Sequence, residues 1–172
     1  MPEPAYMIVK DDQGNEINQG ALGEDSMGTF SKADHVDEIL IQAFDHGVTK
    51  PTSIQSGQVT GQRVHLPVII TKHIDKTSPI LYDMMCHGKQ CQEVIFNFYR
   101  TEKTGNPELY YTIKLKEALI VDMKSYIPNC LDPNNASYPH LEQVKFSYKQ
   151  INWDHVIAST AGQDSWDQST PS

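Results

Sequence analysis

Three groups of residues in this chain have types and spacings that could do chemistry. The first is Gly57-Gln58-Val59-Thr60-Gly61-Gln62-Arg63, whose two glycines suggest a loop able to wrap a phosphate. It lacks the Lys-Ser/Thr ending that reaches the terminal phosphates and a magnesium ion, and it does not open a helix, so no nucleotide site is expected. The second is the pair of dipeptides Asp45-His46 and Asp154-His155, each a carboxylate beside an imidazole, the usual partners in acid–base catalysis. Neighbours on a strand point to opposite faces, so neither pair converges by sequence alone, and no recognisable nucleophile context accompanies them. Asp45 reads better as a polar residue on an exposed strand face. The third is Cys86-His87 with Cys91, which loosely resembles half of a zinc site. Only Cys130 and His140 could complete it, and that set is too sparse for a tetrahedral centre. The expectation is therefore no catalytic, cofactor-binding or metal-binding residue, no cofactor and no enzyme activity. A hydrolase using His46 or His155 as base is the weaker alternative.

The bulk numbers agree with a binding or structural role. A chain of 172 residues is expected to be one domain with a real core. Its net charge of −8 and the absence of any Lys/Arg run argue against nucleic-acid binding, which needs clustered cations. No apolar run approaches the ~20 residues of a spanning helix, so membrane insertion is not expected. The first residues, MPEPAYMIVKDDQGN, lack the charged and apolar regions of a signal peptide. The chain is accordingly expected to start in the cytoplasm, with any export using another route. Three cysteines make no disulfide framework and read as free, mostly buried thiols.

The elements that must position these residues are mostly strands. Residues 5–10 form a short β-prone run closed by the turn composition Asp11-Asp12-Gln13-Gly14. Residues 15–37 read as a loop with little regular structure, and residues 38–46 as a largely buried strand. Residues 64–74 form a strand in which Pro67 forces a bulge or an edge position. One helix is expected over residues 79–87, from Pro79 to His87, with Ser78 as N-cap, Pro79 at N1 and Gly88 as its stop. Residues 93–100 and 109–115 flank Thr104-Gly105-Asn106-Pro107 and read as a hairpin, and residues 118–127 as a further strand. The fold class is mainly β: a two-sheet barrel or sandwich with one flanking helix. Residues 1–157 are expected to form the single domain, and residues 158–172 a polar, disordered tail.

Two features suggest contact with other molecules. Phe96, Phe98, Tyr110, Tyr111 and Tyr148 exceed what one face of a small sandwich must bury. Residues 47–64 (GVTKPTSIQSGQVTGQRV) are polar and Gly-containing yet carry Val48, Ile54 and Val59, as an arm docking on a neighbour would. A monomeric β-sandwich binding module is the competing reading. A third feature is a change of parity: Val144, Phe146 and Tyr148 are apolar on one side, then Ile151 and Trp153 on the other. A bulge near Lys149 would produce this, as would a strand leaving its own core for a subunit boundary.

The stretches Gln62-Arg63-Val64-His65, Ile70-Thr71-Lys72, Ile74-Asp75-Lys76-Thr77-Ser78-Pro79-Ile80-Leu81 and Val144–Trp153 (VKFSYKQINW) resemble the haemolysin-coregulated protein family, Hcp. Tyr110–Ala118 (YYTIKLKEA) and Asp37-Glu38-Ile39-Leu40 also fit, so the resemblance runs from about Tyr6 to His155. It implies a phage tail-tube-like barrel that closes into homo-hexameric rings, which stack into the hollow tube of a type VI secretion system. It further implies a VgrG spike, a contractile sheath and baseplate, and effector proteins carried in the lumen. Assembly would be cytoplasmic and export independent of a signal peptide. Residues 47–64 occupy the place of the family's subunit-embracing loop, with Val48, Ile54, Val59 and Arg63 as interface candidates. On residues 38–46, Ile41, Ala43 and Asp45 share one parity and are the candidates for the lumen wall, with Leu40, Gln42 and Phe44 turned to the core.

Overall fold

A computed structural model describes residues 3–166. In chain order the elements are β1 (Ala5–Lys10), α1 (Glu24–Met27), β2 (Ile39–Asp45), β3 (Val48–Thr49), β4 (Val64–His65), β5 (Val68–His73), α2 (Ser78–Cys86), β6 (Cys91–Thr101), β7 (Pro107–Tyr126), β8 (Leu141–Ser147), β9 (Gln150–His155) and β10 (Thr160–Ser165). The main sheet runs β10-β9-β7-β6-β1-β2-β5-β8, and β8 returns to pair with β7. Six strands thus close a barrel, from which β9 and β10 extend as a flap, while β3 and β4 form a separate two-stranded sheet. The expected mainly-β barrel with a flanking helix is what the chain adopts.

Alternating apolar residues build the core because each strand offers every second side chain to the barrel interior. Met7, Phe96, Ile113 and Trp153 lie opposite one another across β1, β6, β7 and β9. Val9, Val94, Leu115 and Ile151 make the next layer in the same way, all four fully buried. The expected hairpin is β6–β7, its turn passing through Gly105 at φ 90°. The two strands expected after that turn are one, the 20-residue β7.

A bend divides β7 and explains the parity change downstream. Glu117 sits at φ 50°, and Lys149 N–H donates to Lys116 O at 3.2 Å opposite it. Before the bend β7 pairs with β9, and after it with β8. Tyr148 and Lys149 lie outside both ladders, so the side-chain alternation restarts there. Val144, Phe146, Tyr148, Ile151 and Trp153 consequently all contribute to one core. The break in alternation near Lys149 is thus accounted for within one chain.

A second irregularity corrects the reading of β2. Its register against β5 shifts between Ile41 and Ala43. Ile41 therefore points into the core, 4% exposed, whereas Ala43 and Asp45 face outward and Phe44 packs inward. The three lumen candidates do not share a face, since a bulge flips alternation for every residue beyond it. Leu40 joins a separate cluster with Tyr6, Leu22 and Met27 rather than the barrel core, and exposed Gln42 bonds His73 through Nε2 at 2.8 Å.

Three smaller differences bear on the site. Residues 15–37 carry α1 and two short 3-10 turns, held by the fully buried Asn18, whose Oδ1 accepts from Val9 N–H at 3.1 Å. Helix α2 begins at Ser78 with Thr77 in the cap position, so Ser78 is not the N-cap. Residues 160–165, expected within a disordered tail, form β10 and pair with β9 along all six residues. The part of that tail from 167 to 172 lies outside the described residues.

Candidate functional site

Residues 47–64 stand away from the barrel as a hairpin arm. Its base is the β3–β4 ladder, in which Val48 faces His65 and Thr49 faces Val64. Further out, Thr52 bridges Val59, and Thr60 N–H donates to Pro51 O at 2.8 Å. Pro51 has no N–H to lose there and offers only its carbonyl. The tip closes with Gly57 N–H donating to Ser53 O at 2.8 Å, and Gly57 takes the left-handed φ of 70° that a residue with a Cβ resists. Ile54 at the tip is 102% exposed, and Val48 and Val59 are exposed along the arm. Three of the four arm residues singled out in the sequence therefore present apolar groups to solvent.

Arg63, the fourth, is the arm's anchor to its own chain. Its guanidinium donates to both carboxylate oxygens of Asp164 on β10, with Nη2 to Oδ1 at 2.8 Å, and to Ser165 O at 3.0 Å. Two residues along, His65 points the same way: its Nε2 lies 2.6 Å from Asp164 Oδ2 and its Nδ1 2.7 Å from the Tyr148 hydroxyl. Tyr148 is also 2.7 Å from His46 Nε2. With the His65 Nε2–H given to Asp164, Tyr148 donates to His65 Nδ1 and accepts from His46 Nε2–H. The Arg63 guanidinium, and after it His65, holds the Asp164 carboxyl down at about 2. Burial, then the His65 ring, lowers the pKa of His46, and burial raises that of Tyr148. This chain of bonds fastens the arm, the core and the sheet flap together, with the Tyr148 side chain buried at its centre.

A family model described as type VI secretion system effector, Hcp, matches residues 6–155. The chain belongs to the Hcp family. It is 45% identical over 166 residues to the major exported protein of Pseudomonas aeruginosa, a match covering 96% of both chains. A crystal structure of an Hcp protein superposes with a TM-score of 0.89 at 36% identity, covering 95% of this chain and 99% of that one. The secreted protein Hcp3 from Pseudomonas aeruginosa superposes at 0.78 with 38% identity, covering 94% and 99%.

Several of the residues that carry the Hcp resemblance are internal and charged or polar. Lys72 and Glu142 are fully buried and meet at 2.6 Å, and Lys72 Nζ also lies 3.0 Å from Asp75 Oδ1. Ser78 Oγ accepts from Lys72 Nζ at 3.2 Å and from Asp75 N–H at 3.0 Å, and donates to Glu142 Oε1 at 2.7 Å. Thr77 donates twice to Asp75 Oδ1. The IDKTSPIL stretch is thus a charged knot that ties the start of α2 to β5 and β8, a role in the fold of Hcp rather than a reactive centre.

The other singled-out groups do not converge. His155 Nδ1 accepts from Ala158 N–H at 3.0 Å and stacks edge-on with Tyr110, whereas His46 bonds the Tyr148 hydroxyl. Cys91 opens β6 inside the core, where burial pushes its thiol up to about 12, while Cys86 and Cys130 are exposed. His87 pairs with Asp83 one helical turn back. The joint polar role of His65, Tyr148 and Asp164 was missed in the sequence. Arg63 and His65 share a parity two residues apart, which was a signal that one acidic partner serves both; nothing in Gly162-Gln163-Asp164 said that it would be the partner.

Proposed function

We propose that this Hcp-family chain is the structural subunit of a type VI secretion tube. Six copies close into a ring through heterologous contacts, one surface meeting a different surface of the next copy. Rings stack into a hollow tube that passes out of the cell with a VgrG spike, driven by a sheath and baseplate, and effector proteins travel in its lumen. On this reading the protein is exported and is not an enzyme.

The observation that carries the proposal is the arm. Among the described residues, the projecting hairpin leaves Ile54 fully exposed at its tip and Val48 and Val59 exposed behind it. Such groups on a rigidly based hairpin suit docking on a neighbouring copy. Outward-facing Ala43 and Asp45 on β2 remain the candidates for the lumen wall, where ring symmetry would repeat the carboxylate as an acidic band. Deleting residues 53–60 tests the arm: the expected result is a folded barrel that no longer forms rings, and persistence of rings would show that the arm does not hold them.

A further inference from the structure

We propose that β10 is a latch that fixes the direction of the arm, so that the two segments order and disorder together. The arm is an almost fully exposed two-stranded ribbon, with only Gly47, Ser53 and Arg63 partly buried among residues 47–64. Ribbons of this kind are marginal by themselves. The flap strand β10 is equally short of packing: it is polar, ends the sheet, and pairs only with β9. Each segment lacks a stabilising face of its own, and each finds it in the other.

The contacts that join them converge on one carboxylate. Asp164 receives both Arg63 and His65, which sit two residues apart on the same side of the arm's base, and Ser165 O takes a further bond from Arg63. The Trp166 ring lies 5.3 Å from the His65 ring and caps the junction from the far end of β10. Bidentate, charge-assisted bonds fix orientation as well as energy, because the planar guanidinium meets the carboxylate in one geometry. A hinge at Val64-His65 would leave the tip free to sweep; the Asp164 clamp removes that freedom. Local opening of such a unit is cooperative, since loss of either half removes the support of the other. The consequence for ring assembly rests on the proposal that the arm docks on a neighbouring copy.

Amide hydrogen exchange on the full-length protein tests this, with wild type, Asp164→Ala, Arg63→Ala and the exchanged pair Arg63→Asp with Asp164→Arg, and with mass in solution recorded for each. Either single change is expected to speed exchange about tenfold in both residues 48–65 and residues 160–165, while residues 91–101 of β6 stay at the wild-type rate. The exchanged pair should recover part of that protection. Where Asp164→Ala does not fold, Asp164→Asn is expected to give a smaller rise in the same two segments. Faster exchange confined to β10, with the arm at its wild-type rate, would overturn the latch, whatever happens to the rings. A wild type that forms no rings would instead refute the assembly reading, and the exchange comparison would still decide the latch.

Discussion

Lys72 Nζ and Glu142 Oε1 lie 2.6 Å apart with neither side chain exposed, one on β5 and the other on β8. Asp75 is the second carboxylate on the same ammonium, at 3.0 Å. Removing a single member of a buried pair leaves an uncompensated charge, so Lys72→Met is expected to destabilise the fold by about 3–5 kcal/mol. Adding Glu142→Leu to Lys72→Met should recover part of the loss. Urea unfolding of the three proteins checks this; equal and additive losses would mean the two residues do not act as a pair.

Tyr148→Phe isolates the hydroxyl, because the ring stays in the core while His46 and His65 both lose a bond. The expected cost is about 1–3 kcal/mol, the range for leaving buried polar groups unsatisfied. Thermal unfolding of the variant measures it directly.

Asp164 and His46 have depressed values that shape the response to acid, and His73 and Asp83 are shifted in the same direction. Asp164 is held at about 2, below its ordinary 3.8, so its contribution is fully present above the ordinary value and is lost as pH falls toward 2. His46 is lowered from 6.5, so the unfolded chain takes up its proton first, and stability falls as pH drops below that value. Both act in the same direction: the protein should weaken on acidification, first below about pH 6.5 from His46 and again below about pH 4 from Asp164. Asp164→Asn should flatten the lower step and His46→Gln the upper one in melting temperatures recorded from pH 7 to 3.

Asp45→Arg probes the lumen assignment. Asp45 is exposed on the outer side of β2 beyond the bulge, and its replacement touches no core contact. Intact rings with altered retention of a co-expressed effector are the expected outcome. Lost rings would place Asp45 at a subunit boundary, and unchanged retention would remove it from the lumen wall.

Much of the barrel was legible because strands write their burial into alternating apolar residues, as in Val94-Ile95-Phe96 on β6 and Val144-Lys145-Phe146 on β8. The arm was legible too, through apolar residues scattered in a Gly- and Ser-containing stretch. The bends were not. Glu117 takes a positive φ without being a residue that favours it, and the bulge beyond Ile41 leaves no glycine or proline as its mark. β10 was invisible because the sheet ladder and the Asp164 clamp order it, not an apolar face. Lys72 and Glu142 were unreadable for a different reason: a charge is expected outside until its partner, seventy positions along the chain, is known.

The account stands or falls on assembly. Mass in solution at micromolar concentration and moderate salt, recorded with negatively stained images of the same sample, is the direct measurement. The account predicts a single species of six times the mass of one chain, seen as closed rings with a central hole. A monomer under those conditions, with no rings in the images, would contradict it.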